Sequence, residues 1–400
     1  MTAVQQAPSG LDADPSAYLA LPRFNNILAF SFDLAGTAYP STISYALTFA
    51  PPAGAWPVLV FFNGLGGHRL VAALFEGIAR EHRVQILVLD KPSGPLCQSF
   101  APTAPTTPLP LPLALRTRWA HAALLAVLAH HRIARFAALS HSNGVFYALH
   151  TLLHLPPGLT PTGWALTGLF IPPSISGSAA LRLAAALPHA LPNGLGALLQ
   201  VVPPLASVAG WSGGVWAASA GLLSAAPAPD DAAHRPPHKR GYLARSVSDA
   251  CRTATMRVGL REGRAVMGQE ALLCLHGAEP AGAHGDAGAD GGSDARVKHE
   301  SVWGVGPGGD DAAVLRGAFA RLAERYGGGG GMPVWVTYGA ADGMVPAKGR
   351  AWLHAELEGV GLLRQGDDAA WTEVPEAGHD DVLFVDAVVG GILGRVARQA

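Results

Sequence analysis

Residues 57–90 read PVLVFFNGLGGHRLVAALFEGIAREHRVQILVLD: an apolar run, a glycine-rich turn, a helical pattern, then a second apolar run ending at Asp90. Two strands connected through a helix predict a parallel, right-handed crossover, since a tight hairpin would have needed only a few linking residues. Parallel strands carry apolar side chains on both faces and must be covered by helices above and below. This segment therefore constrains the chain to an α/β architecture.

The alternation continues on both sides of it. NILAFSFDL, STISYALTFA and PVLVFF predict strands over 26–35, 41–50 and 57–62, each bounded by turn-forming residues. After a proline-rich connector at 100–112, where missing amide donors exclude regular helix, LALRTRWAHAALLAVLAHH predicts a helix. IARFAALS then predicts a strand, VFYALHTLLHL a helix and WALTGLFI a strand at 164–171. The resulting expectation is a mainly parallel sheet with helices on both faces.

Beyond Pro173 the alternation stops. Residues 178–226 are rich in Ala and Leu but broken at Pro188, Pro192, Pro203 and Pro204, which predicts short, kinked helices. The Gly-, Pro- and Asp-rich stretches 227–240 and 277–312 predict loops, and DAAVLRGAFARLAERY predicts a helix just before Gly327. Sheet character returns at MPVWVTYG, followed by a short strand at WTEVP and a last helix over DDVLFVDAVVGGILGRVARQ. The expected organisation is an N-terminal extension at 1–25, a core at 26–172 and 331–400, and a mostly helical cap at 173–330.

Charge and cysteine content exclude several classes. The 28 basic and 29 acidic residues leave a formal charge of −1, so no global field draws the chain to nucleic acid or to an anionic membrane. Cys97, Cys251 and Cys274 are odd in number and widely spaced, which argues against a disulfide framework or a thiolate metal site. The N-terminal residues lack the basic start and apolar run of a secretory signal, so a cytoplasmic location is expected. The apolar stretch 205–226 is diluted by Gly and Ser and is expected to be a buried or substrate-facing element, with no stable membrane span. Sixteen histidines form no H-E-x-x-H pattern, and no metal or other cofactor is expected.

The chemistry concentrates at SHSNG, residues 140–144. A serine at a tight turn from strand to helix lifts its hydroxyl above the sheet, while the following helix directs its N-terminal dipole and amides at developing negative charge. Small residues are required two positions either side of it, and here they are Ser140 and Gly144. The pattern G-L-G-G-H-R at 64–69 with Asp90 at the next strand end also imitates a dinucleotide-binding unit, although Arg69 replaces the third glycine and two strands precede the unit.

Together with YGAADGMVP at 338–346 and EVPEAGHDD at 373–381, this order of elements resembles the α/β-hydrolase superfamily, in the branch with a cap inserted after the sixth strand. The resemblance covers about 26–172 and 331–400. It implies Ser142 as nucleophile, His379 as general base and Asp342 as its orienting acid, in the chain order nucleophile, acid, histidine. Asn63-Gly64-Leu65-Gly66-Gly67 is similar to the family's oxyanion loop, with Asn63 where a histidine is usual, and it implies backbone donors at Leu65 and Asn143. Asp380 and Asp381 are expected to open the last helix, and His141 to be a packing or solvent-facing residue. The resemblance implies a cofactor-free serine hydrolase for an ester or related acyl bond of an apolar small molecule. An acyltransferase on the same triad and a non-catalytic binding or scaffold protein are the alternatives. The serine disfavours the dehalogenase and epoxide hydrolase branches, which place Asp at that point.

Overall fold

A computed structural model describes residues 14–34, 36–49, 56–92, 111, 113–186, 254–255, 258, 268–275, 311–327, 331–363 and 370–399. Eight strands form one sheet in the order β1-β2-β4-β3-β5-β6-β7-β8. They are β1 (Asn26–Leu34), β2 (Thr37–Leu47), β3 (Val58–Phe62), β4 (Gln85–Leu89), β5 (Arg135–His141), β6 (Thr160–Thr167), β7 (Val334–Gly339) and β8 (Trp371–Val374). β1 pairs antiparallel with β2, and β2 with β4. From β4 through β3, β5, β6 and β7 to β8 every pairing is parallel.

The helices, in chain order, are α1 (Pro15–Leu19), α2 (Val71–Glu81), α3 (Leu113–His130), α4 (Gly144–His154), α5 (Pro173–Ser176), α6 (Ala179–Ala185), α7 (268–275), α8 (Asp311–Tyr326), α9 (Ala347–Gly359) and α10 (Asp386–Arg398). Strand side chains alternate between the two faces of the sheet and so feed two cores. Val58, Val60 and Leu87 join Trp119 of α3, Phe146 of α4, Phe319 of α8 and Leu353 of α9. Leu59, Phe61 and Ile86 face the other way, onto Phe75 of α2 and Leu393 of α10. Each large apolar side chain buried in this way stabilises the fold by about 1.5–3 kcal/mol. This second core also contains Tyr18, Leu19 and Phe24, and the Tyr18 hydroxyl donates to Glu76 of α2. Residues 18–24, before β1, are thus packed onto the sheet rather than hanging from it.

The sheet order removes the dinucleotide-binding alternative, because β4 is flanked by an antiparallel β2 where that unit would continue in parallel. Asp90, which would have to meet a ribose, is spent internally. Its Oδ1 accepts from the Arg69 amide at 2.6 Å and its Oδ2 from Arg69 Nη1 at 2.9 Å.

Three boundaries differ from the sequence expectation. β2 starts earlier, at Thr37, and accommodates Pro40 because β4 pairs only with Tyr45–Leu47, leaving Pro40 with β1 as its single neighbour. β6 spans Thr160–Thr167 instead of 164–171, since Pro161 and Gly163 sit within the strand across from a register shift at Phe136/Ala137. The last helix is interrupted: a 3₁₀ turn at Asp381–Phe384 ends at Val385, whose extended backbone (φ −79°, ψ 117°) separates it from α10. Asp380 and Asp381 therefore do not open that helix. The helix predicted from DAAVLRGAFARLAERY is α8, residue for residue.

The stretch 205–226, most of the proline-broken and glycine-rich insert, Cys97 and Cys251 lie outside the described residues. Among the described residues no helix is long and apolar enough to cross a membrane.

Candidate active site

Ser142 sits between the end of β5 and the start of α4 with a φ of 50°, in the left-handed region that few non-glycine residues adopt. Such strain persists where the surroundings over-determine it. Here the Ser142 amide donates to the Thr167 carbonyl at 3.2 Å, and the Ser142 carbonyl accepts from Phe170 at 3.2 Å. The flanking positions show why small residues stand there. A Cβ on Gly144 would lie 2.0 Å from the Phe62 carbonyl oxygen, so only glycine lets α4 start this close to β3. Ser140 is a tolerated departure from glycine because its hydroxyl has a use: its Oγ accepts from Trp164 Nε1 at 3.0 Å.

Asp342 lies in the turn after β7 and His379 in the loop after β8. The Asp342 Oδ1 accepts from the amides of Met344 at 2.9 Å and Val345 at 3.0 Å, which leaves Oδ2 aimed at His379 Nδ1, 2.8 Å away. The other ring nitrogen, Nε2, is 2.9 Å from Ser142 Oγ. With an ionised carboxylate as acceptor, the bonding pattern assigns the ring proton to Nδ1 and makes Nε2 the acceptor of the serine hydroxyl proton. Burial opposes charge on both groups, but their mutual attraction and hydrogen bond prevail. The His379 pKa is raised and that of Asp342 is lowered, the latter aided by the two backbone amides. Three segments distant in sequence thus supply one continuous hydrogen-bonded line.

The glycine-rich turn after β3 lies against the serine. A Cβ on Gly64 would fall 3.0 Å from Ser142 Cβ, so the loop backbone approaches as closely as a side chain would elsewhere. With its amide oriented by the surrounding donors and acceptors, Asn63 closes the turn. It donates to the Gly67 carbonyl at 3.2 Å and accepts from the His68 amide at 3.2 Å. Among the described residues neither the Leu65 nor the Asn143 backbone N–H donates to a backbone acceptor. Both candidate donors are therefore open at the turn that carries the serine.

Two features beside the site have no signal in the sequence. His141 is buried rather than solvent-facing: its Nδ1 lies 2.9 Å from the Thr167 carbonyl and its Nε2 3.0 Å from Asp380 Oδ1. A second His–Asp pair thus stands beside the first, the two rings 5.4 Å apart. His141, His379 and Asp380 each bring a ligating atom within 4.8 Å of the others, but both nitrogens of each ring already have hydrogen-bond partners. The second feature is a buried charge cluster around Glu270 of α7. Its carboxylate accepts from Lys91 Nζ at 2.9 Å, Arg116 Nη2 at 2.6 Å, Asn143 Nδ2 at 2.8 Å and the Tyr147 hydroxyl at 2.5 Å. These cations and donors overcome the penalty of burial and hold its pKa down at about 2.

No protein-family model matches the chain, and no curated protein matches it. Solved structures do. The wild-type DBJA crystal structure aligns with a TM-score of 0.50 at 15% identity, covering 92% of this chain and 98% of that one. MGS-M2, an alpha/beta hydrolase enzyme from a Medee basin deep-sea metagenome library, aligns at 0.49 with 11% identity, over 93% and 98% of the two chains. A thermophilic esterase from Thermogutta terrifontis aligns at 0.48 with 12% identity, again over 93% and 98%. The sheet order and the crossover pattern, in keeping with the alignment to wild-type DBJA, define one class: the chain has the α/β-hydrolase fold.

Proposed function

We propose that the protein is a serine hydrolase that cleaves an ester or related acyl bond through an acyl-Ser142 intermediate. The observation that carries this reading is the line Ser142 Oγ, His379 Nε2, His379 Nδ1, Asp342 Oδ2, with gaps of 2.9 and 2.8 Å at its two contacts. A serine hydroxyl is a weak nucleophile at neutral pH, and His379 removes its proton as Oγ bonds to the acyl carbon. The carbonyl π electrons move onto oxygen, and the Leu65 and Asn143 amides receive that charge; a single such donor contributes roughly 10²- to 10³-fold in rate. His379 then returns the proton to the leaving alkoxide. Asp342 holds the ring's tautomer and stabilises the imidazolium throughout. Water, deprotonated by His379, resolves the acyl-enzyme, so the cycle requires no cofactor.

The insert at 173–330 acts in this reading as the cap over the site, while its last helix, α8, packs against α4 and α9 in the first core. The apolar sequence at 205–226 favours a hydrophobic acyl or alcohol group. A fluorophosphonate probe tests the proposal. Covalent labelling of the wild type, lost in Ser142→Ala, is the expected result, together with faster turnover of longer p-nitrophenyl esters than of the acetate. Absence of labelling in a folded sample would refute catalysis and favour a binding protein on the same fold. Transfer to an added alcohol in preference to water would make the enzyme an acyltransferase.

A further inference from the structure

Lys91 stands just after β4, buried, and its ammonium donates to three acceptors. These are the Gly64 carbonyl at 2.8 Å, Asn143 Oδ1 at 2.9 Å and Glu270 Oε2 at 2.9 Å. The first two matter for where the open amides point. The Gly64 carbonyl and the Leu65 N–H are opposite ends of one peptide unit, and in a trans peptide they point in opposite directions. Fixing the carbonyl on a buried ammonium therefore fixes the Leu65 N–H facing away from Lys91 and polarises it. The second amide belongs to Asn143, whose own side chain is held between Lys91 and Glu270. One ammonium thus grips both backbone segments that frame Ser142.

The charge balance agrees with this role. Lys91 and Arg116 face a single carboxylate in the cluster, Glu270, and the Tyr147 phenol and Cys274 thiol are both pushed up by burial and by Glu270, which keeps them neutral. Burial lowers the Lys91 pKa and the Glu270 carboxylate beside it opposes that shift. With Lys91 protonated, two cations face one carboxylate, and the surplus has the sign that stabilises a developing oxyanion. Glu270 comes from the insert, on α7, so docking of that segment keeps Lys91 in place.

Resting on the serine-hydrolase reading, we infer that Lys91 is a positioning residue for the oxyanion site, orienting the Leu65 and Asn143 amides through the Gly64 carbonyl and the Asn143 side chain, with Glu270 of the insert as its anchor. The test compares wild type with Lys91→Met using a p-nitrophenyl ester, a trifluoromethyl ketone and the matching methyl ketone. The trifluoromethyl ketone bonds to Ser142 Oγ and becomes a tetrahedral oxyanion as the serine proton moves to His379; the methyl ketone stays planar. The expected result is a fall in kcat of about 10- to 100-fold, with KM changed less than about threefold, by the loss of aligned oxyanion donors. Affinity for the trifluoromethyl ketone should fall by a similar factor, and that for the methyl ketone should hold.

Equal weakening of both ketones, or an unchanged kcat, would reduce Lys91 to a structural cation. Should Lys91→Met fail to give a native circular dichroism spectrum, the triple variant Lys91→Met/Arg116→Met/Glu270→Met removes all three buried charges together, a replacement that buried ion triads can tolerate, and carries the same expectation. Wild type that fluorophosphonate does not label overturns the hydrolase reading and this inference with it. Labelled wild type with an indifferent Lys91→Met overturns this inference alone.

Discussion

His379 can act as a base only while its Nε2 is unprotonated, and its pKa is raised because the charge and hydrogen bond of Asp342, with the charge of Asp380, outweigh burial. The acid limb of kcat/KM should therefore fall above the ordinary imidazole range of about 6.5, activity rising as pH increases through it. Asp342→Asn removes the larger of the two charges that raise this pKa and leaves burial opposed by Asp380 alone, so the limb of the residual activity moves to lower pH. The same substitution forfeits tautomer control and should reduce kcat about 10³- to 10⁴-fold. A pH-rate profile of both proteins checks the sign, and a limb that stays in place would separate Asp342 from the histidine's titration. These residues are legible in the sequence because each sits in a local pattern: SHSNG, YGAADGMVP and EAGHD all mark turns at strand ends. The pairing of Lys91 with Glu270 is not, because their contact joins positions 179 residues apart and nothing local to either names the other. The pairing of His141 is hidden for the same reason, since its partner Asp380 arrives from the far end of the chain.

Between elements, the decisive contact is the approach of the α4 N-terminus to the end of β3. Gly144→Ala places a Cβ 2.0 Å from the Phe62 carbonyl oxygen, and this obstacle is backbone, which cannot rotate away. The expected loss of stability is about 3 kcal/mol or somewhat more, the upper range for overpacking a buried site. Activity should fall further than the folded fraction does, because the shift displaces Ser142 and the Asn143 amide together. Urea unfolding and a turnover number per labelled site measure the two effects separately. Element positions are readable where periodicity is long and uninterrupted, as in α8. They are obscured where a strand tolerates turn-like residues: Pro161 and Gly163 make the first half of β6 look like a loop. The interruption at Val385 is hidden because DVLFVDAVV keeps an apolar pattern through a change of backbone that residue identity does not announce.

For the whole molecule, Glu270 ties α7 to Lys91 after β4 and to Arg116 of α3 through a carboxylate buried among two cations. Its pKa is held at about 2, below the ordinary glutamate value of 4.5, so the unfolded chain takes up a proton before the folded one does. The stability this group supplies is fully present above about pH 4.5 and is lost as pH falls from there through about 2. Asp342, also lowered, adds to the dependence with the same sign. Glu270→Gln leaves Lys91 and Arg116 buried without their counter-charge, and breaking a buried pair from one side destabilises by roughly 3–5 kcal/mol. The variant should thus be less stable at pH 7, yet lose less on acidification, so that the two stability curves converge toward about pH 3. Urea titrations at intervals from about pH 7 down to about pH 3 test this. Parallel curves across that range would mean that folding leaves the Glu270 pKa where it is in the unfolded chain and that α7 is held by packing instead of charge.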